Sequence, residues 1–278
     1  MKMITREALA DWEEQLAREE KSAATREKYL RDVRRFAAFV GERLVNKDLV
    51  LEYKSKLAER YAVTGANSML AAVNSFLGFI GRTDCRVKQC KVQKKAYCSE
   101  EKELTKAEYG RLLRAAEQEG NQRLKLLLET ICGTGIRVSE LQFITVEAVN
   151  RGEAAVRCKG KSRTVFLVGS LCRKLKQYAK EQGIATGVIF ITKSGKPMDR
   201  SNIWRAMKNL CKQAKVNPHK VFPHNLRHLF ARTFYGIEKD IAKLADILGH
   251  SNINTTRIYI VTTGAEHRRR LERMGLVV

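Results

Sequence analysis

One stretch of the chain, EAAVRCKGKSRTVFLV over 153–168, reads as extended structure: two short β-prone runs around a basic turn from Lys159 to Arg163. Two strands cannot cover a core alone, so the rest of the polypeptide must bury its apolar surface helix against helix. The other patterned segments agree. Leu9, Trp12 and Leu16 share one face of a helix over 5–20. Tyr29, Val33, Phe36 and Val40 recur at intervals of four, three and four ahead of Gly41, and Met69, Val73, Phe76 and Ile80 do so ahead of Gly81. KDLVLEYKSKLAERY repeats the pattern less cleanly. With no strand pattern among them, these segments predict a small helical domain over 1–83.

Apolar periodicity lapses over 84–103, which predicts a linker, and restarts at Thr105. Thr105 and Glu108 have capping-box spacing ahead of Tyr109, Leu112 and Leu113. A second domain, 104–278, is expected to run through helices to about residue 145, the hairpin, and two helical segments in LCRKLKQYAKEQG and RSNIWRAMKNLCKQAKV. It closes on a basic helix in GAEHRRRLERMGLVV. The expected class is mainly α with one small β-hairpin.

Charge narrows the partner. The formal net charge is +23, and residues 151–230 hold 18 Lys and Arg against 3 Asp and Glu. A merely solvated face mixes both signs. One sign concentrated in this way predicts a surface that faces phosphates, and so a nucleic acid. The helices of the first domain add Arg26, Lys28, Arg31, Arg34 and Arg35. A membrane is the poorer partner, because no apolar run approaches the ~20 residues that span a bilayer. The first residues, MKMITREALADWEEQ, lack the apolar stretch of a signal peptide. Seven cysteines (85, 90, 98, 132, 158, 172 and 211) include no C-x-x-C and have no histidine at zinc-ligand spacing. Reduced thiols in a cytoplasmic protein are the expectation.

Chemistry concentrates in the last sixty residues, around Tyr259. His224 and Arg227 are three apart and share a helical face. Leu244, Ile247 and Leu248 follow with helical spacing up to Gly249, a C-cap glycine, which leaves His250 in a turn. Tyr259 lies nine residues beyond His250, past the helix-start candidates Asn252, Asn254 and Thr255. Far upstream, Arg137 follows a glycine-rich turn and precedes Glu140 by three. Basic residues gathered on one tyrosine suggest phosphoryl transfer, in which charge spreading over the non-bridging oxygens needs cations. Enzymes that use metals for this hold them in carboxylate clusters. Acids are scarce here, so the expected cations are side chains, with no metal and no cofactor.

The pattern T-G-x-R-x-x-E-L (134–141), then H-x-L-R-H (224–228), then L-G-H-x-x-x-x-T-T-x-x-Y (248–259) resembles the tyrosine site-specific recombinases, the phage integrase and Xer-type enzymes. The resemblance implies an N-terminal helical, SAM-like core-binding domain and a C-terminal catalytic domain. It implies that Tyr259 attacks a DNA phosphodiester, forming a 3′-phosphotyrosine and releasing a 5′-hydroxyl. Arg137 and Arg227 would clamp the phosphate, while His224 and His250 would hydrogen-bond it or exchange protons. The family's general-acid lysine sits in a β-hairpin turn. Setting CKGKSRTVFL against the family's G-K-G-x-K-x-R-x-V-P-L favours Lys159. Lys161 is the alternative, because the turn is one residue shorter and Phe166 stands where proline is usual. Glu140 is expected to orient Arg137 and His228 to be structural, while His219 and His267 match no motif. The implied partners are double-stranded DNA and three further protomers, in a tetramer that exchanges strands through a Holliday junction. The C-terminal segment would dock on a neighbouring protomer, and a second recombinase or accessory protein is possible within this scheme. Two other functions fit the same chemistry or charge: a type IB topoisomerase-like relaxing enzyme, and an inactive DNA-binding regulator.

Overall fold

A computed structural model describes residues 4–92, 100–158, 160–260, 268, 269 and 271–275, without the side chains of Glu100, Cys158 and Lys161. The chain divides into two compact units, Met1–Lys94 and Lys95–Val278.

The first unit is built from α1 (Arg6–Arg18), α2 (Ala23–Val40), α3 (Lys47–Arg60) and α4 (Val63–Phe79). Side-chain oxygens of Thr5, Ser22 and Asn46 accept from the first-turn amides of α1, α2 and α3, which starts these helices where they start. Gly41 ends α2 at φ +61. The apolar intervals place Val33, Phe36, Val40, Val73 and Phe76 in the interior. Trp12 meets Phe76 edge-on with ring centroids 5.2 Å apart. On α2, Lys28 is held 2.6 Å from the buried carboxylate of Asp32.

Cys85 and Val87 are buried in this same core, although they fall in the stretch expected to be a linker. Two α4 side chains hold that stretch down. The Asn67 amide donates to the Cys90 carbonyl at 2.9 Å and accepts from its N–H at 2.8 Å. Asn74 makes the same pair of bonds to Val87, at 2.8 and 3.0 Å. Side-chain amides anchor the backbone here, so no apolar period marks the packing.

The second unit contains α5 (Lys106–Gln118), α6 (Gln122–Thr134), α7 (Val146–Arg151), the strands β1 (Glu153–Cys158) and β2 (Lys161–Phe166), then α8 (Gly169–Glu181), α9 (Arg200–Ala214), α10 (Pro223–Glu238), α11 (Ile241–Leu248) and α12 (Ile253–Arg257). The Thr105–Glu108 capping box forms at the start of α5. The strands pair antiparallel, from Glu153 opposite Phe166 to Cys158 opposite Lys161, with Gly160 in the turn between them. Lys159 itself lies outside the described residues. Ala154, Val156 and Val165 turn inward, whereas Phe166 is 73% exposed.

The core of this unit gathers around α6, on which Leu126, Leu127, Leu128 and Ile131 are all buried. A helix buried on adjacent residues is enclosed, and here α5, α8 and α10 pack against it. A separate small cluster of Ala231, Leu244, Leu248 and Tyr259 sits apart from that core. Among the described residues, no helix is long and apolar enough to cross a membrane.

Candidate active site

Three chain reversals build the site. At the end of α6, Gly135 takes φ +64, and a Cβ there would lie 2.5 Å from the Phe230 ring and 2.9 Å from Leu248. Only glycine allows α10 and α11 to close on this turn. Beyond it, Arg137 opens a 3₁₀ turn, Val138–Phe143. Its backbone N–H donates to Glu140 Oε2 at 2.9 Å and its Nη1 to Oε1 at 2.8 Å. The third reversal is Gly249, also at φ +64, which ends α11.

The C-terminal end of α11 draws in three arginines. Arg163 Nη1 donates to the Ile247 carbonyl at 2.7 Å, Arg227 Nη2 to the Leu248 carbonyl at 2.7 Å, and Arg137 Nη2 to the Gly249 carbonyl at 3.3 Å. Terminal carbonyls lack intrahelical donors and carry the negative end of the helix dipole, so guanidinium groups are at home there. Arg227 also donates to the Gly135 carbonyl, which ties the α6 turn to α10. Glu140, 1% exposed, is the carboxylate of the cluster, shared by Arg137 and by Arg163 at 2.6 Å. Burial alone would raise its pKa, but the Arg137 hydrogen bonds and the charges of Arg163 and Arg137 hold it below the usual carboxylate range. Arg227 is 1% exposed and, among the described residues, has no carboxylate partner. Burial, then repulsion by Arg137, lowers its pKa to about 10.

Tyr259 lies in a 3₁₀ turn, Ile258–Ile260, directly after α12, whose Asn252 cap accepts from the Asn254 amide. Its ring is 5% exposed, and its hydroxyl is 3.5 Å from His224 Nε2. The rings of His228, His224 and His250 surround it at centroid distances of 4.3, 5.3 and 5.3 Å. Arg227 lies 5.9 Å from the ring centre.

Arg227 Nη2 is 3.0 Å from His250 Nε2, and a guanidinium can only donate. His250 Nε2 is therefore the acceptor, and Nδ1–H donates to Thr256 Oγ1 at 2.9 Å. Burial first, then the charges of Arg227, Arg137 and Arg163, lower His250 to about 4. Burial followed by Arg227, Arg137 and Arg200 also lowers His224. Both imidazoles are thus held toward the neutral form; His250 already uses both ring nitrogens, while His224 Nε2 faces the tyrosine hydroxyl.

Five of the six residues expected at the site, Arg137, His224, Arg227, His250 and Tyr259, converge; the sixth, Lys159, is not among those described. Two further residues join them. His228, expected to be structural, is four from His224 on α10, which places the two on one face, and their rings meet at 4.9 Å. Its Nδ1 is 3.8 Å from Glu103, whose carboxylate also faces Arg232 at 3.1 Å. Burial dominates this imidazole and lowers its pKa to about 4. Arg163, read from sequence only as part of a turn, occupies the arginine of the family's hairpin pattern, and that position was the available signal.

Comparison with known proteins agrees with this geometry. Residues 102–265, more than half of the chain, match the model of the phage integrase family. Tyrosine recombinase XerC of Roseiflexus castenholzii is 31% identical, over 86% of this chain and 83% of that protein. Tyrosine recombinase XerA of Pyrococcus horikoshii is 29% identical, over 82% and 80%. Among solved structures, a lambda integrase tetramer bound to a Holliday junction shares the fold, with a TM-score of 0.72 at 16% identity over 91% of this chain and 76% of that one. The motifs, the gathered arginines and the extent of these matches together place the chain in the phage integrase family, as a tyrosine recombinase.

Proposed function

We propose that the protein is a site-specific DNA recombinase that cleaves and rejoins duplex DNA through Tyr259. The observation that carries this reading is Arg227: a guanidinium buried beside a tyrosine, hydrogen-bonded to a histidine and, among the described residues, paired with no carboxylate. A buried charge without a counter-ion is costly, and a scissile phosphate would supply that counter-ion.

In the proposed step the Tyr259 oxygen attacks phosphorus and the bond from phosphorus to the 5′-oxygen breaks. The phenol proton passes to His224 Nε2, the nearest neutral acceptor. Arg137 and Arg227 hold the non-bridging oxygens, while His250 Nε2 accepts from Arg227 and steadies its guanidinium. The hairpin lysine, Lys159 or in the other register Lys161, protonates the departing 5′-oxygen. The same groups acting in reverse rejoin the strand with a new 5′-hydroxyl. The phosphotyrosine conserves the bond, so no nucleotide is needed.

We take the partners to be double-stranded DNA and a tetramer of this chain, by analogy with the lambda integrase tetramer on a Holliday junction, and the site of action to be the cytoplasm. Residues 1–83 would serve as a core-binding domain and 104–278 as the catalytic domain. The C-terminal segment would dock on a neighbouring protomer. A depression of about 460 Å³ lined by Tyr109, Leu229, Phe230, Phe234 and Ile237 offers an apolar seat of suitable size. The relatives are named recombinases, which leaves the topoisomerase and inactive-regulator readings without support.

The test is a nicked suicide duplex carrying the native site, found by sequencing DNA bound in cells. Wild type and Tyr259→Phe are run on denaturing gels with EDTA present. A covalent adduct in wild type alone is expected. Adducts formed equally by Tyr259→Phe would overturn the assignment of the nucleophile.

A further inference from the structure

We propose that Arg163 is a positioning residue for Arg137, acting through Glu140 and the end of α11; this deepens the reading of Arg137 as a phosphate clamp and rests on it. Arg163 is not exposed as a hairpin arginine ordinarily is: its side chain is 12% accessible. One guanidinium nitrogen donates to the Ile247 carbonyl at 2.7 Å and the other to Glu140 Oε2 at 2.6 Å. Its stem lies across Gly249, where a Cβ would come within 2.4 Å of Arg163 Cδ. The two supports of the Arg137 guanidinium are Glu140 Oε1 and the Gly249 carbonyl. Arg163 therefore touches both supports of Arg137.

Two consequences follow for the clamp. The first is geometric. Glu140 Oε2 takes two donors, the Arg137 N–H and Arg163 Nη2, so Arg163 adds a side-chain anchor to the backbone one and holds the carboxylate in the plane in which Oε1 meets Arg137 Nη1. The second is electrostatic. A single Arg–Glu pair is neutral and offers a phosphate little attraction. One carboxylate shared between two guanidinium groups keeps a unit of positive charge, in a partly buried place where charges act more strongly than in water. Arg163 thus lets Glu140 orient Arg137 without neutralising it.

The experiment is a double-mutant cycle on single-turnover covalent adduct formation, using the nicked suicide duplex and the full chain. The proteins are wild type, Arg163→Met, Arg137→Ala and the double variant. Methionine keeps the apolar stem over Gly249 and removes the charge and both donors. Arg163→Met is expected to slow adduct formation about 10²-fold, as a misplaced catalytic group does, with DNA affinity in gel shift little changed. The double variant is expected to be no slower than Arg137→Ala alone, because the residue that Arg163 orients is already gone. Arg163→Lys, which keeps the charge but not the fork, is expected to recover part of the rate, and it replaces the methionine variant in the cycle if that one does not fold. A wild-type rate in Arg163→Met, or multiplying losses in the double variant, overturns the inference while leaving the clamp intact. A wild-type rate in Arg137→Ala overturns the clamp reading and this inference with it.

Discussion

Replacing Arg227 by methionine should remove catalysis while leaving the fold near its original stability. The guanidinium is 1% exposed and its pKa falls from 12.5 to about 10. At about 1.36 kcal/mol for each pKa unit, holding it charged at neutral pH costs the fold about 3 kcal/mol. Methionine fills similar space and removes that cost. It also strips the Gly135 and Leu248 carbonyls of their donor. Leaving a buried acceptor unsatisfied costs about 1–3 kcal/mol, so the two together cost about 2–6 kcal/mol. The net change lies between about 1 kcal/mol of stabilisation and about 3 kcal/mol of destabilisation. Loss of one preorganised donor to a developing oxyanion costs about 10²–10³ in rate, and a guanidinium offers two such donors. Urea denaturation and single-turnover adduct formation, measured on the same preparation, separate the effects. Cleavage within about tenfold of wild type, a loss of only about 1.4 kcal/mol of transition-state stabilisation, would refute the reasoning. Destabilisation beyond about 5 kcal/mol would refute it too, since that would make Arg227 a structural post whose cost only a buried, paired charge explains.

Gly249→Ala should destabilise the protein by about 3 kcal/mol in urea titration and depress cleavage, because alanine resists φ +64 and must displace Arg163. His228, with a native pKa near 4 against an unfolded value of 6.5, should make the protein acid-sensitive. Its neutral form is native-like above pH 6.5, and the unfolded state gains the proton first as pH falls toward 4. About 3 kcal/mol of stability is therefore lost across that window. His228→Gln should reduce the dependence of the urea midpoint on pH between 6.5 and 4, leaving the part that His250 and His224 contribute. Asn67→Ala removes both bonds that hold Cys90 and should cost the first unit about 1–3 kcal/mol. Fluorescence of the buried Trp12 reports this directly, since the second tryptophan, Trp204, is already 49% exposed.

Local rules carried well from sequence to structure, and long-range ones did not. The intervals of four and three placed Val33, Phe36, Val73 and Phe76 correctly inside, because helical period follows from backbone geometry alone. Thr105 with Glu108, and Gly249 after Leu248, worked for the same reason: caps are decided within one turn of chain. The packing of 85–90 onto α4 was invisible, since Asn67 and Asn74 reach across 23 and 13 residues with amide groups that leave no apolar trace. The partners of Arg163, Glu140 and Ile247, lie 23 and 84 residues away, so a turn was the natural reading of its surroundings. His228 is the instructive case. Its distance of four from His224 was in plain view, and helical geometry alone was enough to put the two histidines on one face.

Tyr259 rides on a five-residue helix and one 3₁₀ turn, and packs with three other buried residues, Ala231, Leu244 and Leu248, in a cluster separate from the main core. Its carrier is thus a small cooperative unit whose opening leaves Leu126, Leu127 and Ile131 covered. Amides of 253–260 should exchange with solvent through sub-global opening, at a lower free energy than those of α6. A nucleophile mounted in this way can leave its histidine cage and return at little cost to the scaffold. Protection of these amides on loading with DNA would then report, residue by residue, how far the tyrosine has been committed.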